Sequence, residues 1–459
     1  MLNEAKHVVV VGLARSGIAA AAFLARQGAT VTAVDTKSER ELSPEALSLR
    51  ALGVALELGP HRRETFLRAS LVVVSPGVPW ELPELEAARG AGIPVVAEIE
   101  LAFRHLKGEV AAITGTKGKS TTTAALGAML REAGRDARVG GNIGAPLIGL
   151  VENSTDATVF AVEVSSFQLE GTTSFRPHVA IWLNLSADHL DRHPTLEAYI
   201  AAKARIFANQ RPGDWAVVNA DDPMVLEQAR RARGRQLLFR VTGDPLAEGD
   251  GAFFAHGSAR LRRGGSEETL FERADLALPG RHLHGDLLVA AAAARLLGAP
   301  AEAIVRAVRG FKGVEHVLEL VTTLEGVSYY NDSKATNVEA ARRSLEAFDA
   351  PVVVILGGRY KGGDFGELVP QLRLHGRAVV AIGEAADRVA VALAGTVPLE
   401  RAPSLPDAVR LARSLACRGD VVLLAPACSS FDMFKDYGER GRAFKAEVMK
   451  LRAPEVGRG

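Results

Sequence analysis

Short apolar runs rich in β-branched residues recur along this chain, and each is followed by a glycine-rich turn and a helical pattern. Continuous apolar strands that alternate with helices are typical of parallel sheets covered by helices on both faces. The pattern therefore predicts an α/β fold. The runs lie at residues 8–11, 31–35, 71–75, 110–114, 159–164, 179–184, 217–219, 352–356, 379–382 and 421–425.

The runs fall into three sets, and a chain of 459 residues is too long for one hydrophobic core. We therefore predict three domains, at residues 1–98, 99–311 and 312–459. Residues 243–273 interrupt the central set and are rich in glycine and charge. We interpret them as small antiparallel strands or a surface excursion.

Charge and composition argue against several classes of partner. A net charge of +1 disfavours nucleic acid or a membrane surface held by bulk electrostatics. No apolar run approaches the roughly 18 residues that a membrane-spanning helix needs, and the N-terminal "MLNEAKHVVVVG" has no signal-peptide pattern. The two cysteines, Cys417 and Cys428, make no disulfide framework. We expect a cytoplasmic protein with no nucleic-acid or membrane partner.

The first domain begins with the layout of a nucleotide-binding unit. "VVVVGLARSGIAAAAFLARQGATVTAVDT" predicts a strand, a glycine turn at Gly12, a helix, and a second strand that ends in the acid Asp35. Ala14 stands where a dinucleotide site has its middle glycine, which disfavours a nicotinamide or flavin cofactor and a dehydrogenase. Another nucleotide, a nucleotide sugar or a simple packing turn stay open. In "VVVSPGVP", Ser75 and Gly77 follow a further strand at the same edge.

The stretch "AITGTKGKSTTTAALGAML" predicts a phosphate-binding loop of unusual length. The common loop reads G-x-x-x-x-G-K-[ST], whereas here Ile113 replaces the first glycine and the pattern is G-x-x-G-K-S. A buried strand runs into Gly115, and a helix is predicted to begin near Lys119, so backbone N–H groups can hold phosphate oxygens. Lys119 can reach the terminal phosphates. The alternative is a glycine-capped helix with an exposed lysine.

Three polar residues near the ends of apolar runs in the same domain are candidates for magnesium chemistry. Glu163 ends a strand, His189 follows Asp188 after the next strand, and Lys203 lies in a helical pattern among apolar neighbours. Singly, each has an ordinary alternative, namely a core ion pair, a helix-capping histidine and a solvated lysine. Their shared position near the phosphate loop favours a functional role.

Several longer segments are more specific than these patterns: "GLARSG", "SPGVP", "TGTKGKSTTT", "GGNIG", "EVSSFQLE", "ADHLDRHP", "AAKARIF", "NDSKATN", "LGGRYKGGDF" and "PACSSFDMFKDYGERG". Through them the chain resembles, along nearly its whole length, the ATP-dependent Mur ligases of bacterial peptidoglycan synthesis. Those enzymes use the short loop G-[ST]-x-G-K-[ST]. The resemblance is strongest to the branch that adds D-glutamate to UDP-N-acetylmuramoyl-L-alanine. It implies a Rossmann-like N-terminal domain, a P-loop ATPase-like central domain and a Rossmann-like C-terminal domain.

The resemblance also implies a role for individual residues in the first two domains. The UDP end of the muramoyl substrate would be held by Arg15, Ser16, Asp35, Thr36, Ser75 and Gly77, with Asn142 near the reacting centre. ATP would be cradled by Gly115, Thr116, Lys117, Gly118, Lys119, Ser120 and Thr121. Two Mg²⁺ ions, with Mn²⁺ as an alternative, would be bound by Ser120, Thr121, Glu163, His189 and Lys203, the last as a carbamate.

In the last domain the resemblance implies contacts to ATP and to the amino acid. Asp332 would bind the ribose of ATP and Lys334 would approach its phosphates. D-glutamate would be held by Thr336, Lys361, Ser430, Phe431 and Tyr437. The implied catalytic residues are Lys119, Asn142, His189, Lys203 and Lys334, and the implied assembly is a monomer.

The implied reaction is that of an ATP-dependent acid–amino-acid ligase. A carboxylate attacks the γ-phosphate of ATP to give an acyl phosphate, and the amine of D-glutamate then displaces phosphate. Positive charge around the transferred phosphoryl group favours the first step, and Lys119 with Lys334 would supply it beside the metal. Two alternatives stay open: a related Mur or folylpolyglutamate-type ligase with another amino acid such as L-glutamate, and a non-catalytic binding homologue.

Five positions depart from the family pattern, and all concern the binding of ATP or the surroundings of the last site. Lys117 replaces an asparagine of the family's loop, and Leu283 and Asp286 replace two further asparagines. Val317 stands where the family commonly has an arginine, and Tyr360 where it has an aspartate or a small residue.

Overall fold

The computed structural model describes residues 7–186, 192–193, 195–242, 245–246, 248–276 and 280–452. The chain forms two compact units, Met1–Asp275 with Gly285–Arg309, and Leu276–His284 with Gly310–Gly459. The first unit contains two sheets and the second contains one. The predicted α/β class is confirmed, because helices alternate with mostly parallel strands in every sheet.

The first sheet is parallel throughout and has the strand order β3-β2-β1-β4-β5. Its central strand is the run of valines that follows His7, which is buried because neighbours cover it on both sides. The strand order reverses between β1 and β4, which is where ligands bind in such sheets. The elements are β1 His7–Val11, α1 Arg15–Arg26, β2 Thr30–Asp35, α2 Pro44–Ser48, β3 Ala55–Leu58, α3 Arg63–Leu67, β4 Leu71–Val74, α4 Pro83–Gly90 and β5 Val95–Ala97.

A short helix, α5 Glu98–Phe103, joins the first sheet to the second and carries two fully buried carboxyl groups. Burial opposes ionisation of Glu100, but hydrogen bonds from the backbone and hydroxyl groups of residues 173–175 lower its pKa. Glu98 accepts one hydrogen bond, from the Ile148 N–H at 2.7 Å, and burial raises its pKa to about 7. Two acids that are two residues apart in one helix therefore differ in pKa because their partners differ.

The second sheet has the order β14-β13-β12-β11-β10-β9-β6-β8-β7. Its strands are parallel from β7 to β12, and β12, β13 and β14 form an antiparallel extension, which is the first of the two interpretations of residues 243–273. The strands are β6 Glu109–Thr114, β7 Ala137–Gly141, β8 Val159–Glu163, β9 Val179–Trp182, β10 Trp215–Asn219, β11 Arg235–Arg240, β12 Gly251–Ala255, β13 Ser258–Arg263 and β14 Ser266–Glu272. The helices are α6 Lys119–Glu132, α7 Ser166–Glu170, α8 Leu196–Ala204, α9 Pro223–Ala229, α10 Arg281–Leu296 and α11 Ala301–Gly310.

The third sheet has the order β15-β16-β20-β17-β18-β19, with β15 antiparallel to β16 and the other pairs parallel. The strands are β15 Glu319–Leu324, β16 Val327–Asn331, β17 Val352–Gly357, β18 Gly376–Ile382, β19 Leu399–Arg401 and β20 Val421–Leu424. The helices are α12 Val338–Leu345, α13 Val369–His375, α14 Ala386–Ala392, α15 Leu405–Leu415 and α16 Tyr437–Lys450. Across the described ranges, no helix has the length and apolar character required to cross a membrane.

Candidate active site

The phosphate-loop segment lies at the carboxyl end of β6, between β8 and β9, and α6 begins at Lys119 as predicted. Two glycines make this turn possible. Gly115 has φ +149°, and a Cβ there would lie 3.0 Å from the Leu183 Cβ. Gly118 has φ +82°, and a Cβ there would lie 2.3 Å from an oxygen of Asp286. Other residues would be strained at both positions, so the short loop requires its two glycines.

Two lysine side chains meet at the loop. The Lys119 ammonium donates to the carbonyls of Gly115 and Thr116, each at 2.9 Å. The Lys203 ammonium donates to the same Gly115 carbonyl at 2.9 Å and lies 4.6 Å from the centre of the Tyr199 ring. Lys203 is buried, so the alternative of a solvated helix lysine is wrong. Both cations lie where the loop would meet a phosphate group.

Glu163 joins three elements at the same edge. Its carboxylate accepts a hydrogen bond from the Ser120 hydroxyl at 2.7 Å and another from the Asn142 side-chain amide at 2.8 Å. The backbone N–H of Asn142 also donates to the Glu163 carbonyl at 2.9 Å. These residues follow β6, β7 and β8, whose carboxyl ends are neighbours. Thr121 is buried in the first turn of α6.

The oxygen atoms of this cluster suit magnesium, because Mg²⁺ prefers carboxylate and hydroxyl oxygens. Glu163 and Ser120 bring such oxygens within 2.7 Å of each other. Among the residues that the structure describes, no group of three or more His, Cys, Asp or Glu side chains could hold a metal. His189, predicted as a ligand, lies outside the described residues.

Asp286 is one of the departures from the family pattern, and it lies against the loop at Gly118. Burial raises its pKa well above the usual range, and the Thr122 hydroxyl and Lys119 ammonium oppose this only in part. Burial therefore favours the protonated form of this acid, which can donate as well as accept a hydrogen bond. Leu283, the other departure in α10, is buried and apolar.

Asn184, immediately after β9, is a site residue that the sequence analysis missed. Its side-chain amide makes hydrogen bonds to the backbone of Thr116 and Lys117 in the phosphate loop. The available signal was its position, since Asn184 follows an apolar strand just as Glu163 ends one. A polar residue at the carboxyl end of a central strand is a candidate site residue, and the same reasoning that selected Glu163 would have selected Asn184.

The residues predicted for UDP lie at the carboxyl edge of the first sheet. Asp35 ends β2, and its carboxylate accepts from the backbone N–H groups of Leu13 at 2.7 Å and Lys37 at 3.0 Å. The Ser75 hydroxyl donates to the Gly12 carbonyl at 2.8 Å. Asp35 and Ser75 thus fix the turn after β1. The remaining predicted residues near this edge are the exposed Arg15, Thr36 and Gly77 and the half-buried Ser16.

Two arginines connect this edge to the second sheet within the first unit. Arg15 donates to the carbonyl of Gly144, the last residue of the "GGNIG" segment that contains Asn142. Arg192 was not predicted, and it donates to the carbonyls of Gly77 and Val78 at 3.3 and 3.2 Å. Arg192 also lies over the Phe167 ring at 4.6 Å. The "SPGVP" loop is therefore held partly from the second sheet.

In the second unit, the predicted residues follow the neighbouring strands β16, β17 and β20. The Lys361 ammonium lies 5.3 Å from the centre of the Phe431 ring. Phe431 is 55% exposed and Tyr437 is 42% exposed, whereas Ser430 is buried. The remaining residues predicted here are Asp332, Lys334 and Thr336, all between β16 and α12.

Asp332 is buried, and burial raises its pKa to about 6 although the Ser344 hydroxyl and a backbone N–H at Leu318 oppose the shift. Its carboxyl group is thus engaged within the unit. Lys334 donates its backbone N–H to the His316 carbonyl at 3.2 Å.

Two further residues of this region were not predicted. His316 is buried, has φ +67°, and makes an edge contact with the ring of Tyr437. Arg440 is fully buried and donates to the Ser333 hydroxyl, the Ser333 carbonyl and the Cys428 carbonyl at 2.9 to 3.1 Å. Burial lowers the pKa of Arg440 to about 10. Arg440 ties the segment after β16 to the segment after β20.

Comparison with protein-family models gives three matches along the chain. Residues 6–97 match the "Mur ligase MurD-like, N-terminal domain", residues 113–294 match the "Mur ligase middle domain", and residues 318–428 match the "Mur ligase, glutamate ligase domain".

Relatives match the chain over nearly its full length. It is 48% identical over 451 residues to the UDP-N-acetylmuramoylalanine--D-glutamate ligase of Acidobacterium capsulatum, which covers 98% of this chain and 97% of that relative. It is 45% identical to the protein of the same name from Desulfosudis oleivorans, over 100% of this chain and 99% of the relative.

Solved structures of lower identity share the fold. The UDP-N-acetylmuramate-alanine ligase MurC of Thermotoga maritima superposes with a TM-score of 0.60 at 20% identity, covering 97% of this chain and 100% of that one. The MurF ligase of the same organism, solved in complex with ADP, gives a TM-score of 0.60 at 18% identity, covering 98% and 97%.

Proposed function

Because this chain belongs to the Mur ligase family, we propose that it is an ATP-dependent ligase that adds D-glutamate to UDP-N-acetylmuramoyl-L-alanine in peptidoglycan precursor synthesis. The observation that carries the proposal is the cluster of Ser120, Asn142 and Glu163 beside Lys119, at one edge of the central sheet. Relatives of that name share 45–48% identity over 98–100% of the chain.

ATP is bound by the phosphate loop in this proposal. The N–H groups of the first turn of α6 have no acceptors within the helix and face an anion readily. The carboxylate of the muramoyl substrate attacks the γ-phosphate, and an acyl phosphate forms as ADP leaves. Lys119 stabilises the charge on the transferred oxygens, and Lys334 is proposed to approach them. Asp332 is proposed to bind the ribose.

Mg²⁺ bound at this edge would neutralise charge on the ATP phosphates. Glu163 and Ser120 are the residues whose oxygen atoms fit such an ion, and Thr121 and His189 are proposed as further ligands. Lys203 is proposed to act as a carbamate, which would convert the buried cation into a magnesium-binding anion. A second ion and the use of Mn²⁺ are part of the same proposal.

The UDP part of the substrate is proposed to lie at the carboxyl edge of the first sheet. Ala14 departs from the dinucleotide fingerprint, which disfavours a nicotinamide or flavin cofactor, and the match of residues 6–97 to the MurD-like N-terminal domain favours a nucleotide sugar. The binding residues in this proposal are Arg15, Ser16, Asp35, Thr36, Ser75 and Gly77, with Asn142 towards the reacting carboxylate.

D-glutamate is proposed to bind at the carboxyl edge of the third sheet. Its two carboxylates need cationic and hydroxyl partners, and its amine must be deprotonated before it attacks the acyl carbon. Lys361 supplies the cation, and hydroxyl groups of Thr336 and Ser430 supply donors. Phe431 and Tyr437 supply apolar surface for the side chain. The expelled phosphate completes the reaction.

The wider description of the protein is also a proposal. We divide the chain into domains at residues 98 and 311, and we place the protein in the cytoplasm as a monomer. A cytoplasmic location suits an enzyme whose three substrates are small and water-soluble.

Phosphate release from ATP tests the function. The assay contains UDP-N-acetylmuramoyl-L-alanine, Mg²⁺ and either D- or L-glutamate. Release that depends on D-glutamate supports the proposal, and release with L-glutamate alone would instead identify a ligase of different acceptor. No release with either amino acid, under conditions where the chain is folded, would contradict a ligase with this substrate.

A further inference from the structure

The segment directly after β9, residues 183–186, packs against the phosphate loop, and we call it the latch. The Leu183 N–H donates to the Thr114 carbonyl at 3.0 Å, which continues the pairing of β9 with β6. The close approach requires Gly115, because a Cβ there would meet Leu183 and the backbone of Asn184 within 3.4 Å. The latch and the loop therefore fit each other through their backbones.

Asn184 of the latch uses both ends of its side-chain amide on the loop. The Oδ1 atom accepts the Lys117 N–H at 2.8 Å and the Thr116 N–H at 3.1 Å. The Nδ2 atom donates to the Lys117 carbonyl at 3.0 Å. The amide in this orientation satisfies the N–H and the carbonyl of Lys117 together, which neither a carboxylate nor an ammonium group can do.

Further hydrogen bonds hold the latch in position on both sides. Thr116 donates its N–H to the Asn184 carbonyl at 3.1 Å, and its hydroxyl accepts the Ser186 N–H at 3.0 Å. From the sheet, the Trp182 indole donates to the Asn184 carbonyl at 3.3 Å and the Asn219 amide donates to the Leu183 carbonyl at 2.7 Å. Trp182 is fully buried, so the latch rests on the core.

These contacts divide the loop into two halves. The N–H groups of Thr116 and Lys117 are directed at Asn184, so they are not available to a phosphate in this arrangement. The N–H groups from Gly118 onward lie at the start of α6, where a helix presents unsatisfied donors. The two halves meet at Gly118, whose left-handed conformation turns the chain from one partner to the other.

We propose that Asn184 is a positioning residue for the nucleotide, which fixes the Thr116–Lys117 half of the loop so that the Gly118–Thr121 half and the Lys119 ammonium present a preformed phosphate site. The inference rests on the proposed function in that it assumes ATP as the ligand of the loop. Without the amide, the loop samples other conformations in the free protein. Ordering the loop then costs conformational entropy when the nucleotide binds, which weakens the binding.

The test uses the full chain and compares Asn184→Ala with Asn184→Asp and a control, Asn209→Ala. Asn209 is a matched control because its side-chain amide also donates to backbone carbonyls, those of Thr173 and Phe175, away from the loop. Asn184→Asp has nearly the same shape, so it is expected to fold. It keeps both acceptor contacts and replaces the donor to the Lys117 carbonyl by an oxygen.

The readouts are the Kd for Mg²⁺ with a non-hydrolysable ATP analogue, the KM values for all three substrates, and the Tm. Both Asn184 variants are expected to raise the Kd and the KM for ATP by about tenfold. Asn184→Ala loses all the side-chain hydrogen bonds to the loop, and Asn184→Asp loses the one to the Lys117 carbonyl and sets a negative charge against it. The KM values for the muramoyl substrate and D-glutamate are expected to stay within about twofold. Asn209→Ala is expected to leave the Kd unchanged.

Two outcomes would overturn the inference and differ in what else they affect. If the wild type binds the analogue and both Asn184 variants bind it equally well, the positioning role falls while the proposed function stands. If the wild type itself does not bind the analogue, the assumption of ATP as the loop ligand falls and the role of Asn184 falls with it.

Discussion

The carboxyl edge of the central sheet and the carboxyl edge of the third sheet present their candidate residues differently. At the central edge, Glu163 and Lys203 are each 2% exposed and make hydrogen bonds to other parts of the site. At the edge of the third sheet, Phe431 and Tyr437 are 55% and 42% exposed and lie in separate segments after β20. Glu163 and Lys203 are therefore packed into the central edge, whereas the third edge exposes two aromatic rings beside the buried Ser430 and Asp332.

The difference is consistent with the roles proposed for the two edges. Phosphoryl transfer requires charges that are already oriented when the transition state forms, and a packed network supplies them without reorganisation. Recognition of a small amino acid needs exposed groups on a rigid support, and the buried Arg440 supplies that support. We therefore expect variants at the central edge to lower kcat, and variants at the third edge to raise the KM for the amino acid.

The largest effect is expected from Lys119→Ala at the central edge. Loss of an oriented cation at the transferred phosphoryl group is expected to reduce kcat by about 10³-fold. Phosphate release under saturating substrates measures the effect, and the Tm checks that the variant folds. Lys117→Ala is the matched control, because it removes a lysine two positions away, and we expect it to reduce kcat less than about tenfold.

A similar reduction of kcat in Lys119→Ala and Lys117→Ala would contradict this view of the central edge. It would show that the total charge of the loop, and not the orientation of one cation, matters for phosphoryl transfer. A change in the KM for D-glutamate in Lys119→Ala, with kcat retained, would also contradict the proposed division of roles.

A second effect concerns the pH dependence of stability in the third-sheet unit. The folded-state pKa of Asp332 is about 6 against an ordinary value of 3.8, because burial favours the neutral acid. A raised carboxyl pKa means that this group stabilises the fold fully below about pH 4 and that its contribution is lost as pH rises through about 6. The lost free energy of unfolding is about 3 kcal/mol.

Asp332→Asn removes this titration. Relative to the wild type, the variant is expected to gain stability between about pH 4 and pH 7, and thermal unfolding at several pH values measures the gain. Asp349→Asn is the control, because Asp349 is exposed. An Asp332→Asn variant whose Tm follows the wild type at every pH would show that burial does not govern this carboxyl group.

The smallest effect is expected from Lys361→Ala at the third edge. Lys361 is exposed and its ammonium lies 5.3 Å from the Phe431 ring centre, so solvent weakens its pull on a carboxylate. We expect the KM for D-glutamate to rise about tenfold while the KM for ATP stays the same. A main effect on kcat, measured by phosphate release across D-glutamate concentrations, would remove the distinction between the two edges.

Much of the fold followed from local pattern. Apolar runs of the right length predicted the parallel strands. The glycine- and charge-rich segment left antiparallel strands or a surface excursion open, and the antiparallel strands β12 to β14 are what it forms. The loop–helix turn at Gly115 and Gly118 also followed, because a glycine turn between a strand and a helix is encoded by adjacent residues. Lys203 was identified as a candidate, but its burial was not evident from its neighbours.

The residues that were missed depend on partners far away in the chain. Asn184 contacts Thr116 and Lys117 at separations of 68 and 67 residues, and Arg440 contacts Ser333 across 107 residues. Their sequence neighbourhoods carry no periodic signal for such contacts. A side chain's partner at that distance is known only when strand order brings the two segments together.

The sequence by itself therefore determined the class of fold, the phosphate loop and the family, because strands, helices and motifs are written in residues that are close together in the chain. The tertiary structure decided how the pKa values of buried carboxyl groups shift and how polar side chains of the site are oriented. The pKa of Asp286 is raised, Glu98 and Glu100 differ in pKa, and Asn184 is directed at the loop because burial and hydrogen-bond partners come from distant segments. Ionisation and orientation depend on three-dimensional surroundings, which the order of residues does not state.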